Sequence, residues 1–278
     1  MPFRTPETFV PGVHPPAQLS GARIWFAVHQ RTLLVTDEGE LPSMPSLEAL
    51  GLEVLSEHYL GELDGAACVA ACLAPGAVAP PGTRLMELRP LLGQLHASLT
   101  AVAGRALQVI EWDRTHRFCG ACATPTVNAT GRRAKVCPAC GHESFPRLSP
   151  AIIVAVERGD EILLARSPHF PPGVHSVLAG FVDPGESAEE AVHREVFEEV
   201  GLRVTNVRYF DSQPWPFPHS LMMGFQADYV SGDIRIDNEE IVSAAFFRSD
   251  ALPTLFPGRV SISQWLLHDF LLRQRAKG

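Results

Sequence analysis

Two groups of residues in this chain have the types and spacings that chemistry needs. Cys119, Cys122, Cys137 and Cys140 stand as C-x2-C-x14-C-x2-C. Two tight CxxC turns, each with its sulfurs close together, can close a tetrahedral zinc site whose metal supplies folding energy. Protein ligands then take all four positions, so the Zn²⁺ is expected to be structural. Two disulfides or a redox dithiol form the other reading, and the lack of a thioredoxin-like context speaks against it. The second group lies in GFVDPGESAEEAVHREVFEEVGL, residues 180–202. On a helix turning about 100° per residue, Glu195, Glu198 and Glu199 fan over an arc of about 100° beside an apolar stripe of Ala188, Val192, Val196 and Val200. Like charges so spaced cost about 0.2–0.5 kcal/mol per pair. Arg194, within reach of Glu190 or Glu198, does not neutralise the cluster alone. Grouped hard oxygens suit Mg²⁺ or Mn²⁺, ions that combine protein carboxylates with substrate phosphates. A solvated acidic face is the plain alternative.

The elements that must position these side chains follow from periodicity and punctuation. Ser187 and Glu190 form a capping box, so the carboxylate helix is expected to start at Ser187, with Gly201 as its stop. Before it, AIIVAV and EILLAR flank the turn ERGDE as a hairpin of a mixed sheet. Strands are expected near 204–211, 221–230 and 243–248, with a closing helix at about 261–274. Upstream, short apolar runs such as ARIWFAV and CVAACL read as a β-rich layer behind a loosely held, proline-rich lead-in. A helix is expected over about Arg89–Trp112. Three domains result: 1–112, β-rich; 113–147, carrying the cysteines; and 148–278, carrying the glutamates. No internal repeat is visible.

Composition narrows the function classes. The chain is 278 residues long and 46% hydrophobic, enough for a sizeable core. It shows neither a secretory leader nor an apolar run long enough to span a membrane, so a cytoplasmic location is expected and a membrane partner is not. A formal charge of −8 argues against a broad grip on phosphate backbones. Arg132, Arg133 and Lys135 near the cysteines are a weak nucleic-acid footprint. Cys68 and Cys72 read as small buried hydrophobes.

The glutamate segment fits G-x5-E-x7-R-E-U-x-E-E-x-G-U, with U aliphatic, at Gly180, Glu186, Arg194, Glu195, Val196, Glu198, Glu199, Gly201 and Leu202. This is the Nudix box, and the chain resembles the Nudix hydrolases. The resemblance implies an α+β chain whose Nudix domain is an α/β/α sandwich with a mixed sheet, preceded by a zinc ribbon and a β-rich N-terminal domain. It also implies that Glu195, Glu198 and Glu199 hold divalent cations together with the carbonyl of Ala179, and that Arg194 orients the glutamates.

Ten or so residues beyond the box, SQPWPFPHS (212–220) resembles the signature of the NADH pyrophosphatase branch. Its prolines bar it from a helix or a central strand, and it makes sense as a stiff aromatic wall. In a substrate site of that kind, Trp215 and Phe181 are expected to pack against the nicotinamide or its ribose, with Gln213 and Ser220 donating hydrogen bonds and Phe217 as a further substrate contact. Glu240 falls where the branch has a distal metal-binding glutamate. Phe145 stands where relatives often carry tyrosine, and Ser261 is a further candidate contact. His175, His193 and His219 read as structural. The implied reaction is Mg²⁺- or Mn²⁺-dependent hydrolysis of NADH or NAD to NMN(H) and AMP by a homodimer, with NAD-capped RNA as a second candidate substrate. ADP-ribose as substrate, or a non-catalytic Nudix-fold binding protein, are the rivals.

Overall fold

The computed structural model describes residues 3–16, 21–236, 239–257 and 260–276. Residues 17–20 of the lead-in and the last two residues lie outside them. The chain folds as two units, Met1–Leu148 with Trp215–His219, and Ser149–Pro214 with Ser220–Gly278.

In the first unit the strands are β1 (Phe9–Pro11), β2 (Arg23–His29), β3 (Thr32–Thr36), β4 (Ser43–Met44), β5 (Val54–Leu63), β6 (Ala66–Leu73) and β7 (Thr83–Glu87). They form one sheet ordered β1-β5-β6-β2-β3-β7, with β4 also on β2. Strand β2 runs parallel to β6 and antiparallel to β3. It is buried on both faces: Phe26 and Val28 join one core, Trp25 and Ala27 the other. That is why RIWFAVH reads as a continuous apolar run rather than an alternating one. The expected helix is broken. Helix α1 (Leu88–Leu91) stops before Gly93, whose φ of 87° no ordinary residue adopts cheaply, and α2 (Ala97–Thr115) starts afresh. The lead-in is also firmer than its prolines suggest, because Phe3 and Phe9 are buried and Phe9 opens β1. A small sheet, β8 (Val127–Asn128), β9 (Lys135–Val136) and β10 (Glu143–Ser144), holds the cysteine segment.

The second unit contains β11 (Ser149–Arg158), β12 (Glu161–Arg166), β13 (Val174–His175), β14 (Leu178–Phe181), α3 (Ala188–Val200), β15 (Arg203–Trp215), β16 (Ser220–Ser231), β17 (Ser243–Arg248), β18 (Thr254–Leu255) and α4 (Ile262–Arg275). Its main sheet is ordered β15-β16-β11-β12-β17, with β14 on β11 and β11 parallel to β16. Helix α3 covers one face through Val192, Val196 and Val200 against Ile152, Val154 and Val156. Helix α4 covers the other through Leu266 and Phe270 against Ile153, Ala155 and Leu164. The α/β/α sandwich is therefore present, and AIIVAV is apolar throughout because both faces of β11 are covered.

A repeat absent from the sequence is present in the strand order. Strands β5-β6-β2-β3-β7, with β4 on β2, match β15-β16-β11-β12-β17, with β14 on β11, and α2 follows β7 as α4 follows β17. Where the second unit has α3, the first has only a single 3-10 turn, Leu47–Leu50.

Candidate active site and metal centres

Helix α3 begins as its sequence dictates. The Ser187 hydroxyl accepts from the Glu190 N–H while the Glu190 carboxylate accepts from the Ser187 N–H, and Gly201 closes the helix at φ 73°. This occupies Glu190, so Arg194 does not pair with it. Arg194 instead holds Glu186 through Nη2 at 2.5 Å, Glu195 through Nη1 at 2.9 Å and Glu198 through Nη1 at 3.0 Å. It also donates to the Phe181 carbonyl at 2.8 Å. One guanidinium thus fixes the loop before the helix and two carboxylates on it, a geometry its planar fork suits. Glu186 matches the motif, but sequence reasoning gave it no role; the structure makes it the anchor of Arg194.

Strand β14 presses its backbone against Glu195. A Cβ at Gly180 would run into the Glu195 carboxylate, so only glycine lets this side chain lie flat on the strand. Burial pushes the Glu195 carboxyl up, against the pull of Arg194 and with help from the negative charges of Glu198 and Glu240. The Arg194 bond draws the Glu186 carboxyl down, and Glu186 above all raises the Arg194 guanidinium.

Glu195, Glu198, Glu199, Glu240, Ser220 and Ala179 share one cleft of about 640 Å³ with Phe181 and Arg194. Glu195 is 8% and Glu199 5% exposed, and each such carboxylate is costly away from water unless paired. Among the described residues Arg194 is the only lysine or arginine lining the cleft, so the donor set is anionic and all-oxygen. It fits a hard divalent cation.

Other expected contacts are placed differently. Gln213 is 1% exposed; its Nε2 donates to the Val260 carbonyl at 2.9 Å and its Oε1 accepts from the Ile262 N–H at 2.8 Å. The expected hydrogen bond to substrate is corrected: Gln213 braces the start of α4 because both ends of its amide are used inside the fold. Ser261 caps α4, its hydroxyl and N–H both donating to Gln264 Oε1. His175 is set between the Gly173 carbonyl at 2.8 Å and the Ser243 hydroxyl at 3.3 Å. Residues Ser212–Trp215 end the edge strand β15, the place in a sheet where proline is tolerated. Trp215 and Phe217 belong to the first unit. Each meets Phe3 edge-on, at 6.0 and 6.1 Å, and Arg89 lies over both rings, 4.4 Å from Phe217. Gly104 makes the room, for a Cβ there would stand 2.8 Å from Phe3 and 3.0 Å from Pro216. Nothing in the sequence marked Arg89 or Gly104. Phe145 and Phe181 are exposed.

The cysteine quartet converges in the first unit. All four Sγ atoms lie within 4.8 Å of one another. Cys119–Cys140, Cys122–Cys137 and Cys122–Cys140 are 3.7, 3.4 and 3.6 Å apart. Disulfide sulfurs would be about 2.05 Å apart, whereas four thiolates about 2.3 Å from a tetrahedral zinc stand about 3.8 Å apart. The quartet fits zinc. The basic residues beside it are engaged within the unit: Arg132 pairs with Glu143, Arg133 donates to the carbonyls of Gly12 and Tyr59, and Lys135 meets Asp113 at 2.5 Å. Asp113 also accepts from the Ser56 hydroxyl at 2.7 Å and lies 3.4 Å from His58. Burial would raise the Asp113 carboxyl, yet His58, Lys135 and Ser56 together hold it far below the usual carboxylate range. Cys68 is a core residue, and burial pushes its thiol up to about 12.

Three family descriptions match the chain: a NADH pyrophosphatase-like rudimentary NUDIX domain over residues 22–112, a NADH pyrophosphatase zinc ribbon domain over 114–145, and a NUDIX domain over 146–266. The rudimentary description accords with the shared strand order and the missing carboxylate helix of the first unit. Among curated relatives, a protein of Stutzerimonas stutzeri named NAD-capped RNA hydrolase NudC is 48% identical over 252 residues, 90% of each chain. One of the same name from Deinococcus radiodurans is 43% identical over 100% of this chain and 97% of its own. A solved NUDIX hydrolase from Nitrosomonas europaea covers 58% of this chain and 93% of its own at 21% identity, with a TM-score of 0.47.

Proposed function

We propose, since this chain belongs to the Nudix hydrolases in their NADH pyrophosphatase branch, that it hydrolyses the pyrophosphate of NADH or NAD to NMN(H) and AMP and removes NAD caps from RNA 5′ ends. The observation that carries this reading is the pair of buried carboxylates, Glu195 and Glu199, opening on a cleft of about 640 Å³. Glu195, Glu198, Glu199 and Glu240, with the Ala179 carbonyl, would hold the divalent cation, for which Mg²⁺ or Mn²⁺ suits the oxygen donors. Such an ion, when bound, offsets charge developing on the phosphate oxygens and lowers the pKa of the attacking water. Arg194 keeps Glu195 and Glu198 aligned, so their geometry is set before substrate arrives. The exposed ring of Phe181 borders the cleft and offers a stacking face to the nicotinamide, and Ser220 offers a hydroxyl. Trp215, Phe217, Phe145 and Ser261 complete the proposed substrate contacts. Zinc on the four cysteines is structural.

The same proposal includes the division into 1–112, 113–147 and 148–278, a homodimer and a cytoplasmic location. A reducing compartment agrees with six cysteines that form no disulfide. No helix among the described residues is long and apolar enough to cross a membrane. The test is chromatography of the products from NADH, NAD⁺, ADP-ribose and NAD-capped RNA, with Mn²⁺ or Mg²⁺ and with a chelator. Cation-dependent NMN(H) and AMP are expected. Preferred cleavage of ADP-ribose would remove the nicotinamide from the reading, and no cleavage of any substrate would leave a binding protein.

A further inference from the structure

The lead-in before β2 carries a wedge. Phe3 is 3% exposed, and its backbone stands at φ 66°, a left-handed conformation that a bulky residue adopts only where its surroundings impose it. The ring so placed meets Trp215 at 6.0 Å and 82° and Phe217 at 6.1 Å and 78°, while Trp215 and Phe217 stand 5.0 Å apart at 68°. Each contact is close to edge-to-face, the arrangement that sets the positive rim of one ring against the negative face of another. A closed triangle of such contacts fixes the tilt of every ring in it.

The wedge has a firm support. Further along the lead-in, Phe9 is buried and opens β1, which pairs with β5. Beyond β1 the Gly12 carbonyl accepts from Arg133 at 2.9 Å, and the His14 ring accepts from the Gly131 N–H at 2.9 Å. Helix α2 adds the room: a Cβ at Gly104 would stand 2.8 Å from Phe3 and 3.0 Å from Pro216. Glycine is otherwise unfavourable inside a helix, so its place here goes with the close approach. Arg89 lies 5.5 Å from the Trp215 ring centre and 4.4 Å from that of Phe217. It is exposed and long, and a side chain of that kind follows the rings rather than setting their tilt. The buried Phe3 ring sets it.

We propose that Phe3 is a positioning residue, which holds Trp215 and Phe217 at the tilt in which the aromatic run meets the nicotinamide and acts on substrate binding only through those rings. The inference rests on the reading that Trp215 and Phe217 contact the substrate. A stacking face oriented beforehand loses no affinity to its own ordering on binding. Loss of Phe3 therefore weakens the ground state and the transition state alike, which raises KM and leaves kcat in place.

The test uses the full zinc-loaded chain with ¹⁵N-labelled indoles. Four tryptophans give four indole N–H signals, and that of Trp215 is the one lost in Trp215→Phe. Phe3→Ala is expected to move the Trp215 signal while Trp25 and Trp265, which lie in other cores, keep theirs. In steady-state cleavage of NADH with Mn²⁺ the same variant is expected to raise KM about tenfold, for the loss of two edge contacts, and to hold kcat within about twofold. Combined with Trp215→Ala it should raise KM by less than the product of the two single effects, because one ring acts through the other. Should Phe3→Ala lose its native circular dichroism, Gly104→Ala carries the test. Alanine favours the helix, yet its Cβ displaces Phe3 and Pro216, so the same signal moves and KM rises. A Trp215 signal left in place by the folded variant overturns the proposal whatever the substrate, and effects that multiply in the double variant overturn it as well. An unchanged KM in Phe3→Ala where Trp215→Ala raises it overturns the positioning role alone. If Trp215→Ala itself leaves KM unchanged, the reading of the aromatic run falls and takes the inference with it.

Discussion

At Gly180 any Cβ would collide with the Glu195 carboxylate, so Gly180→Ala must displace that side chain toward the cleft. A displacement of about 1 Å in such a constellation costs on the order of 100-fold in turnover, and kcat for NADH in the variant measures it while the melting temperature stays close to that of the parent. Arg194→Ala removes the group shared by Glu186, Glu195 and Glu198. Its expected cost is a similar fall in kcat with a smaller change in KM, since the loss is one of alignment rather than of substrate contact. The carboxylate residues themselves were legible, because helical spacing and the capping box place Glu195, Glu198 and Glu199 without a structure. Their supports were not. Glu186 reaches Arg194 from eight residues away across a loop, and Gln213 bonds Val260 and Ile262 from the far side of a strand pair. No local pattern encodes such reach.

Helix α3 ended where its caps said it would, but the stretch from Arg89 did not stay one helix, since Gly93 takes a φ of 87° that outweighs the apolar periodicity around it. The ribbon strands are only two residues long each, too short to bury a core, so the segment depends on its metal and on its anchors. Cys137→Ser is expected to abolish bound zinc, read by metal analysis, and to lower the melting temperature of the chain. The anchor Asp113–Lys135 gives a second prediction at this scale. Asp113→Asn leaves Lys135 buried without its counter-charge and is expected to destabilise by about 3 kcal/mol at neutral pH. Because folding depresses the Asp113 carboxyl, the wild-type advantage is fully present above the ordinary carboxylate range. It shrinks as the pH falls below about 4, which urea melts across pH will show.

The two units carry one strand order in two sequences, and the match escaped sequence reading because order is a long-range property that side-chain patterns no longer share. One copy kept a carboxylate helix between its third and fourth equivalent strands; the other has a single 3-10 turn of Leu47–Leu50. Divalent-cation chemistry is therefore expected from the second unit alone, while the first contributes the zinc segment and the packed aromatic run of Trp215 and Phe217. The most direct measurement is single-turnover cleavage of NAD-capped RNA by the wild type and by Glu195→Gln, side by side with their melting temperatures. A loss of at least about 100-fold at an unchanged melting temperature is predicted. Equal cleavage by the two folded proteins would contradict the assignment of the chemistry to this cleft.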